Sequence, residues 1–140
     1  MTAYSLLPCS GAGLRVGLLG GFFNPPHQGH LHLSLMAIRR LRLDYVVWLI
    51  SPQNPHKPAA ELLTLEARKA QCIKLTKDHR KIIISDIEQH FRSCYTSDTI
   101  RRLKQMHREM HMIWLMGADN MLSVHKWHNW TEIFDHAQVA

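Results

Sequence analysis

The chain has 140 residues, 46% of them hydrophobic, with 17 Lys or Arg against 11 Asp or Glu for a formal charge of +6. This is enough for one α/β core and too short for two, and no run approaches the roughly 18 consecutive apolar residues of a membrane span. The basic surplus by itself fits nucleic acid and an anionic small molecule equally, but it forms no arm or tail, and the lack of interleaved aromatics on one face argues against a nucleic-acid module.

In chain order, residues 1–13 (MTAYSLLPCSGAG) carry no Lys or Arg and so lack the basic region of a signal peptide. They read as a disordered leader to a single domain, 14–140, in the cytoplasm. Cys9, Cys72 and Cys94 are odd in number and have no CxxC spacing, which fits reduced thiols in that compartment. Leu14 to Leu19 predicts a first strand. A loop rich in Gly and Pro follows, then a helix from about His30 to Leu41 with Leu31, Leu35, Ile38 and Leu41 on one face. Tyr45 to Ile50 (YVVWLI) has the continuous apolar character of a strand buried on both sides.

The loop from Ser51 holds three prolines (SPQNPHKPAAE), and Thr64 is placed to cap a helix running to about Thr76. Ile82 to Ser85 predicts a third strand, followed by a polar loop. Thr96 or Ser97 would then cap a helix with Ile100, Leu103, Met106 and Met110 as its buried stripe. Met112 to Met116 predicts a fourth strand, ending at Gly117. A short helical stretch at Asn120 to Val124, a Trp-rich segment to Phe134 and a strand-like Ala137 to Ala140 close the sequence. Such alternation predicts a Rossmann-like, doubly wound parallel sheet with ligands bound beyond the carboxyl ends of its strands.

The loop after strand one, GGFFNPPHQGH from Gly20 to His30, is neither a GxGxxG fingerprint nor a Walker loop. Gly20 and Gly21 would let the backbone approach a phosphate, and a helix opening near His30 would aim free N–H groups and a positive dipole end at the same place. His27 and His30 can both reach an anion there, with Gly29 keeping the approach clear. His27, His30 and His32 without an acidic or Cys partner make a poor zinc site, and no metal site is expected.

This loop resembles the (T/H)xGH signature of the nucleotidylyltransferase superfamily, in the GxFxPxHxGH form of the bacterial nicotinate-nucleotide adenylyltransferases. The resemblance implies that His27 and His30 are catalytic, binding the ATP phosphates and stabilising charge, and contact with those phosphates should favour their protonated form. It also implies that Gly20, Gly21, Phe22, Phe23 and Gly29 line the phosphates. Asn54, Pro55 and Lys57 match an NP-x-K pattern that makes Lys57 a phosphate contact. Cys94 to Thr99 is similar to a YTxxTL stretch that reads the pyridine carboxylate. Gly117 and Asp119 match G-x-D at the adenosine, and Trp127 matches an aromatic that stacks on the pyridine. Asn24, Tyr95, Thr96 and Trp127 thus fall to the nicotinate nucleotide.

The implied reaction joins nicotinate mononucleotide to ATP, with Mg²⁺ accompanying the ATP, giving deamido-NAD and pyrophosphate. A homo-oligomer stays open. Members of that family continue for several dozen residues further, through a Ser/Thr-rich segment ending in Arg that has no match here, so the expected domain is shortened at its C-terminus. The alternatives are an inactive nucleotide-binding remnant and a related transferase whose acceptor is nicotinamide mononucleotide or phosphopantetheine.

Overall fold

The computed structural model describes residues 13–52, 63–91 and 95–140, the side chain of Asp119 apart. The elements in order are β1 (Arg15–Gly21), α1 (Gln28–Leu41), β2 (Tyr45–Ile50), α2 (Leu65–Thr76), β3 (Ile82–Ser85), α3 (Ile87–Phe91), α4 (Thr96–Met106), β4 (His111–Trp114), α5 (Ala118–Ser123), a 3-10 turn (Val124–Lys126), α6 (Trp130–His136) and β5 (Gln138–Val139). The five strands form one sheet in the order β3-β2-β1-β4-β5, and every pairing is parallel. Among the described residues no helix is long and apolar enough to cross a membrane.

The pleat divides each apolar strand between two layers. Val47 and Leu49 of β2 face a cluster with Val16, Leu18, Met112 and Trp114, closed by Ile87 and Phe91 of α3, Ile100 and Leu103 of α4 and Ile133 of α6. Val46, Trp48 and Ile50 face the other way, with Leu19, Ile113 and Leu115, under Leu31 and Ala37 of α1 and Cys72 of α2. Helices therefore cover both faces, as the doubly wound expectation requires. The strand order reverses at β1, between β2 and β4, and opens a crevice beyond their carboxyl ends. The loops after β1 and β4 meet that crevice.

Several elements differ from the sequence expectation. α1 begins at Gln28, ahead of His30, because His27 is its cap. Its buried residues are Leu31, Ser34 and Ala37, whereas Leu35 faces solvent. The polar stretch after β3 contains α3, whose Ile87, Glu88 and Phe91 are buried. Neither Thr96 nor Ser97 caps α4: Tyr95 holds that position without a side-chain cap bond. α4 ends at Met106, which is exposed, so the buried Met110 packs from the following turn. Thr64 does cap α2, its Oγ1 accepting from the Ala67 N–H at 3.1 Å. The leader falls outside the described residues up to residue 12, as do Lys57 and its neighbours Asn54, Pro55 and His56.

Gly20 has a packing reason to be glycine. A Cβ there would lie 2.5 Å from the far edge of the buried Trp114 ring, whereas one on Gly21 would meet nothing nearer than 3.6 Å. The open backbone expected of both glycines belongs to Gly21. Gly20→Ala should therefore destabilise the chain by about 1–3 kcal/mol through overpacking, and Gly21→Ala by well under that, as read from urea unfolding midpoints.

Candidate functional site

The loop leaving β1 is anchored by Phe23. Its backbone lies in the left-handed region (φ 51), a costly conformation for a residue with a Cβ. Its ring is buried, stacks on Trp48 at 4.9 Å and meets the His30 ring at 4.6 Å. Burial of this large side chain holds the turn. The Asn24–Pro25 peptide that follows is cis. Beneath the loop, Trp48 Nε1–H donates to Ser34 Oγ, and the Ser34 hydroxyl donates to the His30 carbonyl, each at 2.8 Å.

His27 and His30 form a reciprocal cap on α1. The Gly29 N–H donates to His27 Nδ1, and the His27 N–H donates to His30 Nδ1, both at 3.1 Å. The rings stack with centroids 3.8 Å apart. A Cβ on Gly29 would stand 2.8 Å from His27 Cε1, so the glycine makes room for the capping ring. Both Nδ1 atoms accept from backbone donors, which places the proton of each neutral ring on Nε2. Burial, with a smaller contribution from His27, pulls the His30 pKa down to about 4. The positive end of α1 acts in the same direction. At neutral pH His30 of the free chain therefore offers a neutral Nε2–H, whereas the expected protonated form concerns rings in contact with phosphate. Two backbone N–H groups expected to be free for an anion are instead spent on the caps.

The ends of β1 and β2 are tied together at Ser51, whose N–H donates to the Gly21 carbonyl at 2.8 Å. The Arg68 guanidinium of α2 reaches the same place and donates to the carbonyls of Phe22, Ser51, Pro52 and Leu63. Glu88 of α3 is buried between the hydroxyls of Ser51 and Thr99, and burial outweighs these bonds to push its pKa up to about 7. Asn24, expected at the nicotinate nucleotide, has its Oδ1 occupied by the Leu63 N–H at 3.1 Å, which braces the loop against the start of α2. Across the crevice, Gly117 precedes α5 and is open: a Cβ added there would meet nothing within 4 Å.

The residues expected at the pyridine come together at the start of α4. Tyr95 is partly exposed and its ring stacks on His128 at 4.3 Å. Thr96 is the first residue of the helix, and the Ser97 hydroxyl donates to the His128 carbonyl at 3.1 Å. Trp127, half-buried, packs against the core layer of α4 and α6. An aromatic shelf thus adjoins a helix N-terminus. Among the described residues, no three His, Cys, Asp or Glu gather as a metal site.

Sequence reasoning missed Arg68, Glu88 and His128, and gave Ser97 a capping role in place of its bond to the His128 carbonyl. Arg68 carried a faint signal, since Arg68, Cys72 and Thr76 recur at a spacing of four and are the buried stripe of α2. Glu88 lay in a stretch read as loop, and His128 was one of 11 histidines, without a context to single it out.

The cytidylyltransferase-like family model matches residues 18–140. A protein of Parvibaculum lavamentivorans named "Probable nicotinate-nucleotide adenylyltransferase" is 44% identical over 128 residues, covering 91% of this chain and 63% of its own length. One of Methylorubrum extorquens with the same name is 45% identical over 127 residues, covering 91% of this chain and 68% of its own. The chain thus spans somewhat under two thirds of the first of these relatives. The Plasmodium falciparum nicotinic acid mononucleotide adenylyltransferase, solved with NaAD, superposes with a TM-score of 0.77 at 17% identity over 86% of this chain and 60% of that one. At that identity it bears on the fold alone.

Two of the shifted groups, His30 and Glu88, pull stability in opposite directions. His30 is depressed from 6.5 to about 4, so its contribution is complete above 6.5 and is lost as pH falls through 4. Glu88 is raised from 4.5 to about 7, so its contribution is complete below 4.5 and is lost as pH rises through 7. Above the ordinary histidine range Glu88 acts alone. Thermal unfolding should show Glu88→Gln more stable than wild type at pH ~8, by on the order of 2 kcal/mol, with the advantage vanishing by pH ~4. A difference independent of pH would assign Glu88 another role.

Proposed function

Because the chain belongs to the cytidylyltransferase-like family, and to its nicotinate-nucleotide adenylyltransferase branch, we propose that it transfers AMP from ATP to nicotinate mononucleotide. The observation that carries this reading is the His27–His30 cap at the start of α1, beside the switch in strand order. An oxygen of the acceptor's 5′-phosphate attacks the α-phosphorus of ATP. The bond from that phosphorus to the bridging oxygen breaks, and pyrophosphate leaves. The attacking oxygen is already anionic at neutral pH, so no general base is needed, and the work is positioning and charge stabilisation.

In this reading the Nε2–H groups of His27 and His30 donate to the phosphate oxygens. They are held by backbone bonds and need no reorganisation as charge moves toward the leaving group. A bound polyphosphate also raises the proton affinity of a ring beside it, which favours the imidazolium in the complex. The donors on the described residues are N–H groups, suited to phosphate oxygens rather than to a cation. Mg²⁺ therefore enters on ATP, as part of the substrate. Tyr95, Thr96 and Trp127 take the nicotinate end, where the first turn of α4 suits a carboxylate and the indole suits a flat ring. Gly117 and Asp119 take the adenosine side, Lys57 adds a phosphate contact, and the cytoplasm is the compartment.

The test is pyrophosphate release from MgATP and nicotinate mononucleotide, run beside nicotinamide mononucleotide and phosphopantetheine. Release with nicotinate mononucleotide in clear excess over the other two is the expected result, and none above background rejects the proposal. His30→Ala should lower kcat about 10²–10³-fold, as loss of a preorganised donor does. An unchanged rate would remove His30 from this role.

A further inference from the structure

Arg68 is 1% exposed, yet among the described residues no carboxylate forms an ion pair with it. Its donors go to main-chain carbonyls: Nε–H to Leu63 at 2.9 Å, Nη1–H to Phe22 at 3.0 Å and Ser51 at 2.6 Å, and Nη2–H to Pro52 at 3.2 Å. Burial shifts the guanidinium below its ordinary pKa, but it stays charged. A buried cation needs full compensation, and here carbonyl dipoles from three separate segments supply it. Only a planar fork with five N–H donors can hold so many acceptors at fixed angles.

The contact with Phe22 has a consequence across the peptide plane. In a trans peptide the C=O and the following N–H point in opposite directions. Pulling the Phe22 carbonyl onto Arg68 therefore turns the Phe23 N–H away from the guanidinium, out of the loop's inner side. That amide sits two residues past the open Gly21, the last residue of β1, and belongs to the left-handed residue of the turn leading to His27. We propose that Arg68 is a positioning residue: it locks the Phe22–Phe23 peptide so that the Phe23 N–H donates to a phosphate oxygen of the nucleotide held by His27 and His30. The proposal rests on the phosphate-site reading given above.

The test titrates MgATP into ¹⁵N-labelled wild type, Arg68→Lys and Val46→Ala, with Tm measured for each. Lysine keeps the charge without the fork, and Val46 is a buried β2 residue near the amino end of its strand. In wild type the Phe23 amide and the His27 and His30 ring signals should move together. In Arg68→Lys the midpoint should weaken about tenfold or more, because a displaced donor costs that much, and the Ser51 amide should exchange faster than that of Val47. Val46→Ala should lose stability while its midpoint stays within about twofold of wild type.

A wild-type midpoint in Arg68→Lys, or an equal loss in Val46→Ala, overturns the proposal. So does a Phe23 amide that stays still while the ring signals respond, and this comparison decides the matter if Arg68→Lys fails to fold. If neither amide nor rings respond in wild type, the nucleotide reading itself fails and the proposal goes with it.

Discussion

The His27 ring accepts from the Gly29 N–H and the His30 ring accepts from the His27 N–H, and much of the site follows from these two bonds. They fix both tautomers, leaving each proton on Nε2. They require Gly29, because a methyl group there would strike the His27 ring. They also hold His30 against Phe23 and Trp48, where burial keeps it neutral. A pair of histidines at a helix start is thereby converted into two directed donors. The free chain does not have to bear a buried positive charge to present them.

Such donors are useful only if the loop carrying them keeps its position relative to the sheet. Here Ser51 joins the parts. Its N–H holds the end of β1, its carbonyl receives Arg68 from α2, and its hydroxyl meets Glu88 from α3. Glu88 also reaches Thr99, whose Oγ1 donates to the Tyr95 carbonyl at the start of α4. A run of bonded groups thus extends from the histidine side of the crevice to the aromatic side. Most of its members are buried polar groups, for which unmade bonds would be costly, so the geometry is strongly determined.

How much of this was legible in the sequence depended on whether neighbouring letters carried the cause. The first four strands are legible because a strand covered on both faces must be largely apolar, and YVVWLI meets that condition throughout. The loop from Gly20 to His30 stands out in the sequence as a candidate site because glycines, prolines and histidines seldom fall together by packing alone. Gly20 also has a packing cause that the local letters do not show: its neighbour is Trp114, brought beside it by the parallel pairing of β1 with β4. The start of α4 was misjudged for the same kind of reason. Ser97 is a good capping residue by type, but its hydroxyl goes to a carbonyl 31 positions away. Arg68 and Glu88 look like solvated charges until the fold surrounds them. For Arg68 the only local trace is its four-residue spacing with Cys72 and Thr76, and for Glu88 there is none.

The claim at the centre of this account is that His27 and His30 present Nε2–H donors to a nucleotide phosphate. Long-range ¹H–¹⁵N correlation of the imidazole nitrogens at neutral pH, without and then with MgATP, tests it most directly. The account predicts the Nε2–H tautomer for both rings in the free chain, and a shift of both Nε2 signals when MgATP is added. An Nδ1–H tautomer in the free chain, or Nε2 signals indifferent to MgATP, would contradict it.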